Sequence, residues 1–337
     1  MNVLSLFDGL SCGNIALERA GIKVNNYYAS EVDKWAIQIA NKNYPDIIQL
    51  GDVLDVKAKD LPKIDLLIGG SPCQDLSFAG KGKGLEGDRS SLFYQYVRLL
   101  KECKPKYFLL ENVRMKQEYQ DIISDLLGVQ PVKINSSLVS AQNRVRLYWT
   151  NIPNVTQPED KGILLKDILE SNPDQSFNSG HQKSGGKHSN MLNTTYKSQA
   201  NTIHNVNKKS PTICSGTHGY ALGHIERPCE PKEFNKNSLC HHVATATDIK
   251  GNESIKRIYA DSGKAPTLTT MGGGHREPKV NTSETTYRKL TNLECEKLQT
   301  IPDGYTEGVS KTQRYKMLGN SWTADVIAHL FKGLKDG

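Results

Sequence analysis

Apolar residues along the first 150 positions fall into two alternating patterns. Short, largely apolar runs at Val3–Phe7, Ile64–Ile68 and Tyr107–Leu110 have the length of buried strands, and Tyr27-Tyr28-Ala29 and Val145–Trp149 read the same way. Between them, apolar positions recur at helical spacing: Ile15, Ala16, Leu17 and Ala20 before Gly21, then Trp35, Ile37, Ile39 and Ala40 before Pro45, then a stretch around Leu92–Leu100. Strands alternating with helices predict a parallel sheet with helical crossovers, hence an α/β domain. From Asn151 the pattern dissolves. Residues 151–280 are rich in Asn, Ser, Thr, Lys and Gly and are broken by turn clusters such as Asn178-Ser179-Gly180 and Gly272-Gly273-Gly274. A loose echo links Lys209-Ser210-Pro211-Thr212-Ile213 to Lys264-Ala265-Pro266-Thr267-Leu268, each running into a Gly- and His-containing loop. Two copies predict paired loop or hairpin units in a small irregular domain, not a solenoid. Order returns at Leu290, with helices predicted over Asn292–Leu298 and Ala324–Leu334. The middle therefore reads as an insertion, after which the chain rejoins the first domain.

Composition narrows the class. A length of 337 residues suits two domains, or one large domain with an insertion. No apolar run approaches the roughly 18 residues of a membrane span, and the first residues lack the basic stretch of a signal peptide. Seven scattered cysteines without a CxxC pair argue against a disulfide framework or zinc ribbon and favour a reducing compartment. The net charge of +7 permits an anionic partner and equally fits a solvated surface. More than half of that surplus lies in 151–280, where 16 Lys and Arg face 12 Asp and Glu, so the insertion is the better place to seek such a partner.

Candidate chemistry gathers at strand ends. Gly69-Gly70-Ser71-Pro72-Cys73-Gln74 follows the run Ile64–Ile68 and puts a cysteine where open α/β sheets place their ligands. Taken alone, Cys73 is more often a buried structural thiol than a nucleophile. Glu111-Asn112-Val113 follows Tyr107–Leu110 and offers a carboxyl for acid or base work, though a lone glutamate there is more often a surface residue opening a loop. Gln142-Asn143-Arg144-Val145-Arg146 puts two arginines on one face if extended, suited to a carboxylate and a carbonyl, or simply to an exposed basic edge. Phe7-Asp8-Gly9 through Gly13 forms a strand–turn–helix with a thin glycine pattern, and Glu31 stands about 20 residues on, where an acidic side chain binds ribose hydroxyls. Asp52 is a further candidate at a strand end.

Together, Phe7-Asp8-Gly9, Glu31, Asp52, Ser71-Pro72-Cys73-Gln74, Glu111-Asn112-Val113, Gln142-x-Arg144-x-Arg146, Arg288-x-Leu290-Thr291 with Leu298-Gln299, and Leu318-Gly319-Asn320-Ser321 resemble, in that order, the DNA cytosine-5 methyltransferase family. The turn Asp8-Gly9-Leu10 and the ending Leu318–Trp322 are most similar to phage and bacterial members and to the animal de novo enzymes. The resemblance implies a Rossmann-like S-adenosylmethionine-binding sheet over 1–150 and 287–337, with a small irregular β-rich target-recognition domain at 151–286. It implies cofactor contacts from Phe7, Asp8, Gly9, Leu10, Gly13, Glu31, Val32, Asp52, Val53, Pro72, Asn320, Ser321 and Trp322. Cys73 would be the nucleophile, Glu111 the group at cytosine N3, Arg146 a contact to O2, and Arg144 a brace for Glu111. Double-stranded DNA is the implied partner, met by Gln74, Ser77, Lys81, Lys83, Arg89, Gln142 and Arg276, with residues 77–89 as a closing lid. Two departures stand out: Ser11-Cys12 replaces a common glycine pair, and Leu138-Val139-Ser140-Ala141 before Gln142 lacks the usual Gly and Pro.

The chemistry agrees with the resemblance. C5 of cytosine is a poor nucleophile, so its methylation needs a thiolate added at C6 and a carboxyl at N3; an amino-group methyltransferase needs no thiol. The base must also leave the duplex stack. A tRNA cytosine-5 methyltransferase and a non-catalytic DNA-binding relative are the alternatives, the second opposed by the intact Cys73, Glu111 and Arg146 set. Cys229 with Cys240-His241-His242 matches no common zinc spacing, so no metal is expected. The expected location is the cytoplasm, at the nucleoid of a bacterial or phage-infected cell. A restriction-endonuclease partner and the oligomeric state are left open.

Overall fold

The computed structural model describes residues 1–71, 91–170, 227–233, 235, 237–270, 275–283 and 286–335. Among these, five strands run parallel: β1 (Asn2–Leu6), β2 (Asn26–Ser30), β3 (Ile48–Gln49), β4 (Leu66–Gly69) and β5 (Tyr107–Val113). With β6 (Val132–Asn135) and β7 (Val145–Thr150) they form one sheet of order β3-β2-β1-β4-β5-β7-β6. The wholly parallel sheet expected from the alternating pattern is corrected at β7, which is antiparallel to both β5 and β6. Its connection to β6, residues 136–144, is shorter than the dozen or more residues a parallel crossover needs.

Helices α1 (Cys12–Ala20), α2 (Lys34–Asn43), α3 (Ser91–Cys103) and α4 (Gln117–Leu127) link the strands. Both faces of the sheet are covered, which explains the largely apolar runs. Successive residues of β1 go to opposite sides: Val3 joins a cluster with Ala16, Leu17, Ile327 and Phe331, while Leu4 and Leu6 join one with Phe93, Tyr96 and Trp149.

The inserted region contains a closed barrel of β8 (Arg227–Pro231), β9 (His242–Ala246), β10 (Arg257–Tyr259), β11 (Lys279–Ser283) and β12 (Thr286–Lys289), with α5 (Glu253–Lys256) before β10. Its own core is small: Ala244, Ala246, Ile249 and Ile258. It is fastened to the larger layer through residues 264–270. The buried Lys264 ammonium donates to the carbonyls of Ser137, Ser140 and Ile163, and Gln142 pairs with Ala265 in a parallel bridge. Strand β12 continues across the expected domain boundary at 286/287 and ends at Lys289.

Beyond it, α6 (Asn292–Leu298) starts on a reciprocal cap. The Thr291 hydroxyl accepts the Glu294 amide, and the Glu294 carboxylate accepts the Thr291 amide and a two-pronged Arg288 guanidinium. Helices α7 (Lys311–Asn320) and α8 (Ala324–Phe331) follow, and α8 packs along α1, closing the chain onto its first strand.

Candidate active site

Strand register brings distant sequence positions level. Leu6 pairs with Ser30 on one side and with Gly69 on the other, and Gly69 pairs with Leu110. One step further along each chain stand Phe7, Glu31, Gly70 and Glu111, at the carboxyl edge where α/β sheets bind ligands. Asp52 follows Gly51 at the end of the neighbouring β3.

Glu111 is buried, at 8% exposure, and holds the centre of this edge. Its Oε1 is 3.0 Å from Nε of Arg146, and its Oε2 accepts the indole Nε1–H of Trp322 at 3.1 Å. The ion pair follows from register. Glu111 lies opposite Tyr148, so Arg146 is its diagonal neighbour on the same face, within reach of a long side chain. A second arm of Arg146, Nη1, donates to the Val145 carbonyl, which leaves the Nη2 edge for an incoming carbonyl. Next to Glu111, Asn112 donates from Nδ2 to the Ser71 hydroxyl at 3.2 Å. That bond anchors the last described residue before Pro72-Cys73.

On the other side of the edge the chain builds a cradle. Phe7 and Gly9 both adopt left-handed backbone angles, φ +59° each, which for Phe7 is a strained conformation at a turn. Glu31 accepts the amides of Val32 and Asp33 on Oε1 and of Gly9 on Oε2, tying the turn after β1 to the turn after β2. With about four acceptor positions on a carboxylate, one remains on Oε2. Val32 and Leu54 are 69% and 59% exposed beside these turns, large apolar side chains open to solvent. Under the turn, Asp8 accepts from the Ser5 and Tyr27 hydroxyls at 2.6 and 2.7 Å. Burial, against those hydrogen bonds, pushes its carboxyl up to about 6. The Cys12 thiol is pushed up to about 12, by burial and then by the Asp8 charge, so it is inert as a nucleophile.

A sequence profile for C-5 cytosine-specific DNA methylases matches residues 1–336. The chain belongs to that family. It is therefore an enzyme of the DNA cytosine-5 methyltransferase class. Among curated relatives of this methylase, the orphan methyltransferase M.SPRI of Bacillus phage SPR is 27% identical, over 99% of this chain and 97% of its own length. The type II methyltransferase M.NlaX of Neisseria lactamica is also 27% identical, over 99% and 96%. In fold, the methylase resembles the methyltransferase EhMeth of Entamoeba histolytica, with TM-score 0.65, 15% identity and coverage of 100% and 98%. It likewise resembles the Dnmt2 methyltransferase of S. pombe, with TM-score 0.61, 17% identity and coverage of 100% and 99%.

Several expected site residues of the methylase stand elsewhere than the sequence suggested. Arg144 was expected to brace Glu111, but Arg146 makes that ion pair. One residue before β7, Arg144 turns instead to the joint with the barrel: Nη1 donates to the Leu268 carbonyl at 3.0 Å, and Nη2 to those of Ser321 and Gly319 at 2.9 and 3.3 Å. It is buried and acts as a clasp. Gln142, expected at the DNA, is wholly enclosed at its bridge to Ala265, and its side-chain amide has no hydrogen-bond partner among the described residues. Leu10, Gly13 and Val53 were expected at the cofactor. The side chains of Leu10 and Val53 lie in the core, and Gly13 packs on Tyr27 and Ile68, so only their backbone can face a ligand. Leu54 and Asn112 were missed: Leu54 carries no sequence signal, and the bond from Asn112 to Ser71 joins residues 41 positions apart.

Arg276 is exposed, on a stretch whose His275 and Glu277 carbonyls accept the buried Lys279 ammonium. Cys240, His241 and His242 each find a protein partner, in the Ala265 carbonyl, the Ser262 hydroxyl and the Ala244 carbonyl. Pro72, Cys73, Gln74, Ser77, Lys81, Lys83 and Arg89 lie outside the described residues, as does the first of the two echoing units. Among the described residues no helix is long and apolar enough to cross a membrane.

Proposed function

We propose that this methylase transfers a methyl group from S-adenosylmethionine to C5 of a cytosine turned out of duplex DNA, through a covalent adduct with Cys73. The observation that supports this reading best is the carboxyl–guanidinium pair of Glu111 and Arg146. It stands at the sheet edge one strand from the segment leading to Cys73.

Cys73, as thiolate, adds to C6 of the base. Glu111 binds N3 and stabilises the proton there, while the Nη2 edge of Arg146 takes O2, so electron density moves to C5. C5 would then take the methyl group, the cofactor leaving as its neutral thioether, and transfer of the C5 proton to a base would re-form the C5–C6 double bond and expel the Cys73 thiolate. Glu111 and Arg146 must work largely dry, since their side chains are only 11% and 12% exposed, and a dry site strengthens both contacts.

The residues at the cradle fit the cofactor. Bound there, S-adenosylmethionine supplies the methyl group as a sulfonium electrophile. The remaining acceptor position on Glu31 and the carboxylate of Asp52 suit ribose hydroxyls and an adenine amino group. Val32 and Leu54 offer the apolar cover a flat base needs, with Phe7 across the turn. Asn320 at the end of α7, with Ser321 and Trp322 between α7 and α8, would close the other side.

Residues 1–150 with the C-terminal segment from Leu290 form the catalytic domain. The barrel region is the target-recognition domain, with Arg276 at the DNA. The free thiols of Cys12, Cys103, Cys240 and Cys295 fit a reducing compartment. Incubation of the enzyme with methyl-labelled S-adenosylmethionine and either duplex DNA or tRNA, followed by digestion to nucleosides, tests the reading. Label in 5-methyldeoxycytidine from DNA is expected. Label in an exocyclic amino group, or in tRNA alone, would replace it with another function.

A further inference from the structure

Glu111 is held at both carboxyl oxygens by groups from different parts of the chain. Arg146, on the neighbouring strand, takes Oε1, and Trp322, 211 positions away, takes Oε2. Trp322 lies between α7 and α8, in the segment assigned above to cofactor closure. Its N–H thus reaches from that segment to the carboxyl assigned to the base. The chain leaves space for this contact at Gly70, where a Cβ would stand 2.9 Å from the indole nitrogen and 3.1 Å from Glu111 Oε2. Any side chain at position 70 would part the two.

A glutamate gripped at one oxygen keeps freedom about its last bond, because that torsion is broad and roughly two-fold. A donor on the second oxygen removes the freedom and leaves one lone-pair direction on Oε2 for an incoming N–H. Indole is suited to the task, since its N–H is a donor only and never competes for the proton the carboxyl must handle. We propose that Trp322 is a positioning residue for Glu111: its indole N–H fixes the carboxyl in the orientation that meets N3 of the base. The proposal rests on the reading of Glu111 as the group at N3.

Trp322→Phe keeps an aromatic ring and removes the N–H. With saturating cofactor and DNA, kcat should fall by about 10- to 100-fold, the size expected for losing one hydrogen bond to a charged group. Cofactor affinity should change by less than about threefold, since the ring remains. In a Glu111→Gln background the same substitution should cost little more, because a residue acting only through the carboxyl then has nothing to act on. An equal loss in both backgrounds, or an unchanged kcat for Trp322→Phe, would overturn the proposal. Wild-type turnover by Glu111→Gln alone would instead overturn the role given to Glu111.

A second measurement leaves Trp322 in place. The chain has three tryptophans, so an amide-region nitrogen–proton spectrum carries three indole N–H signals. Glu111→Gln should displace that of Trp322 and leave those of Trp35 and of Trp149, which donates to the Ser124 hydroxyl, where they were. A Trp322 signal indifferent to Glu111→Gln would also overturn the proposal.

Discussion

Replacing Asp8 by Asn removes a charge from a place that resists one. The Asp8 carboxyl lies beneath the turn after β1, with Oδ1 bound by the Ser5 and Tyr27 hydroxyls. Burial is the largest influence on its ionisation, the Ser5, Tyr27 and Ser11 hydroxyls oppose it, and the Glu31 charge adds to it. The outcome is a rise from the ordinary 3.8 to about 6. The unfolded chain therefore gives up this proton at lower pH than the folded chain. Stability from the protonated group is complete below pH 3.8 and lost as pH rises through about 6. The whole loss amounts to ~3 kcal/mol, of which roughly half falls between pH 5.0 and pH 7.5. Asp8→Asn has no proton to lose. Any fixed cost of burying the amide is the same at both pH values and cancels in the comparison. Urea melts without cofactor should show the variant gaining roughly 1–2 kcal/mol on the wild type between pH 5.0 and pH 7.5. A difference that stays flat, or shrinks, would mean that the folded carboxyl ionises as the unfolded one does, and the argument from burial would fail.

Gly319 sits where α7 meets the strap from the barrel, and a Cβ there would lie 1.7 Å from the Thr269 carbonyl oxygen. Gly319→Ala should cost at least the 1–3 kcal/mol of an overpacked site, seen as a lowered Tm, and should weaken S-adenosylmethionine binding by displacing Asn320–Trp322; wild-type values of both would mean the strap is not seated there, the 1–3 being about the usual range. Glu31→Ala and Asp52→Ala should each weaken S-adenosylmethionine binding by about 1.5–3 kcal/mol in calorimetry. Two wild-type affinities would show that the ends of β2 and β3 do not hold the cofactor. Exchange of residues 151–285 for those of a relative should move the methylated site and keep cytosine-5 chemistry. Arg276→Ala should relax one position, costing about 1–3 kcal/mol if it reads a base, or weaken all sites alike if it binds phosphate; base-resolution methylation mapping separates these outcomes from an unchanged pattern, which would place sequence reading elsewhere.

What was legible in the sequence follows from where the information is local. β1, β4 and β5 announced themselves because they are buried on both faces and so read as short, largely apolar runs. β3 has two residues and β6 four with only one fully buried, too little pattern to register. The barrel strands run only three to five residues, around a core of two alanines and two isoleucines, so the insertion looked irregular although it closes. At the site, residue types at strand ends named Glu111, Arg146, Glu31 and Asp52. Partners across long separations were not readable. Arg144 spends its guanidinium on backbone carbonyls 124 to 177 positions away, and backbone acceptors leave no trace in residue identity. The bond from Trp322 to Glu111 is hidden for the same reason, since only the register of the sheet and the return of the C-terminal helices bring the two together.

The covalent step is the centre of the proposed function, and trapping it is the most direct test. A duplex bearing 5-fluorocytosine at the target blocks loss of the C5 substituent, so a thiol added at C6 after methylation stays attached. Incubation with S-adenosylmethionine should give a complex that survives denaturation, with the modified base mapped by peptide mass spectrometry to Cys73 and no complex from Cys73→Ser. Methylation of ordinary duplex DNA without any such complex, or an adduct mapped to another residue, would contradict the account.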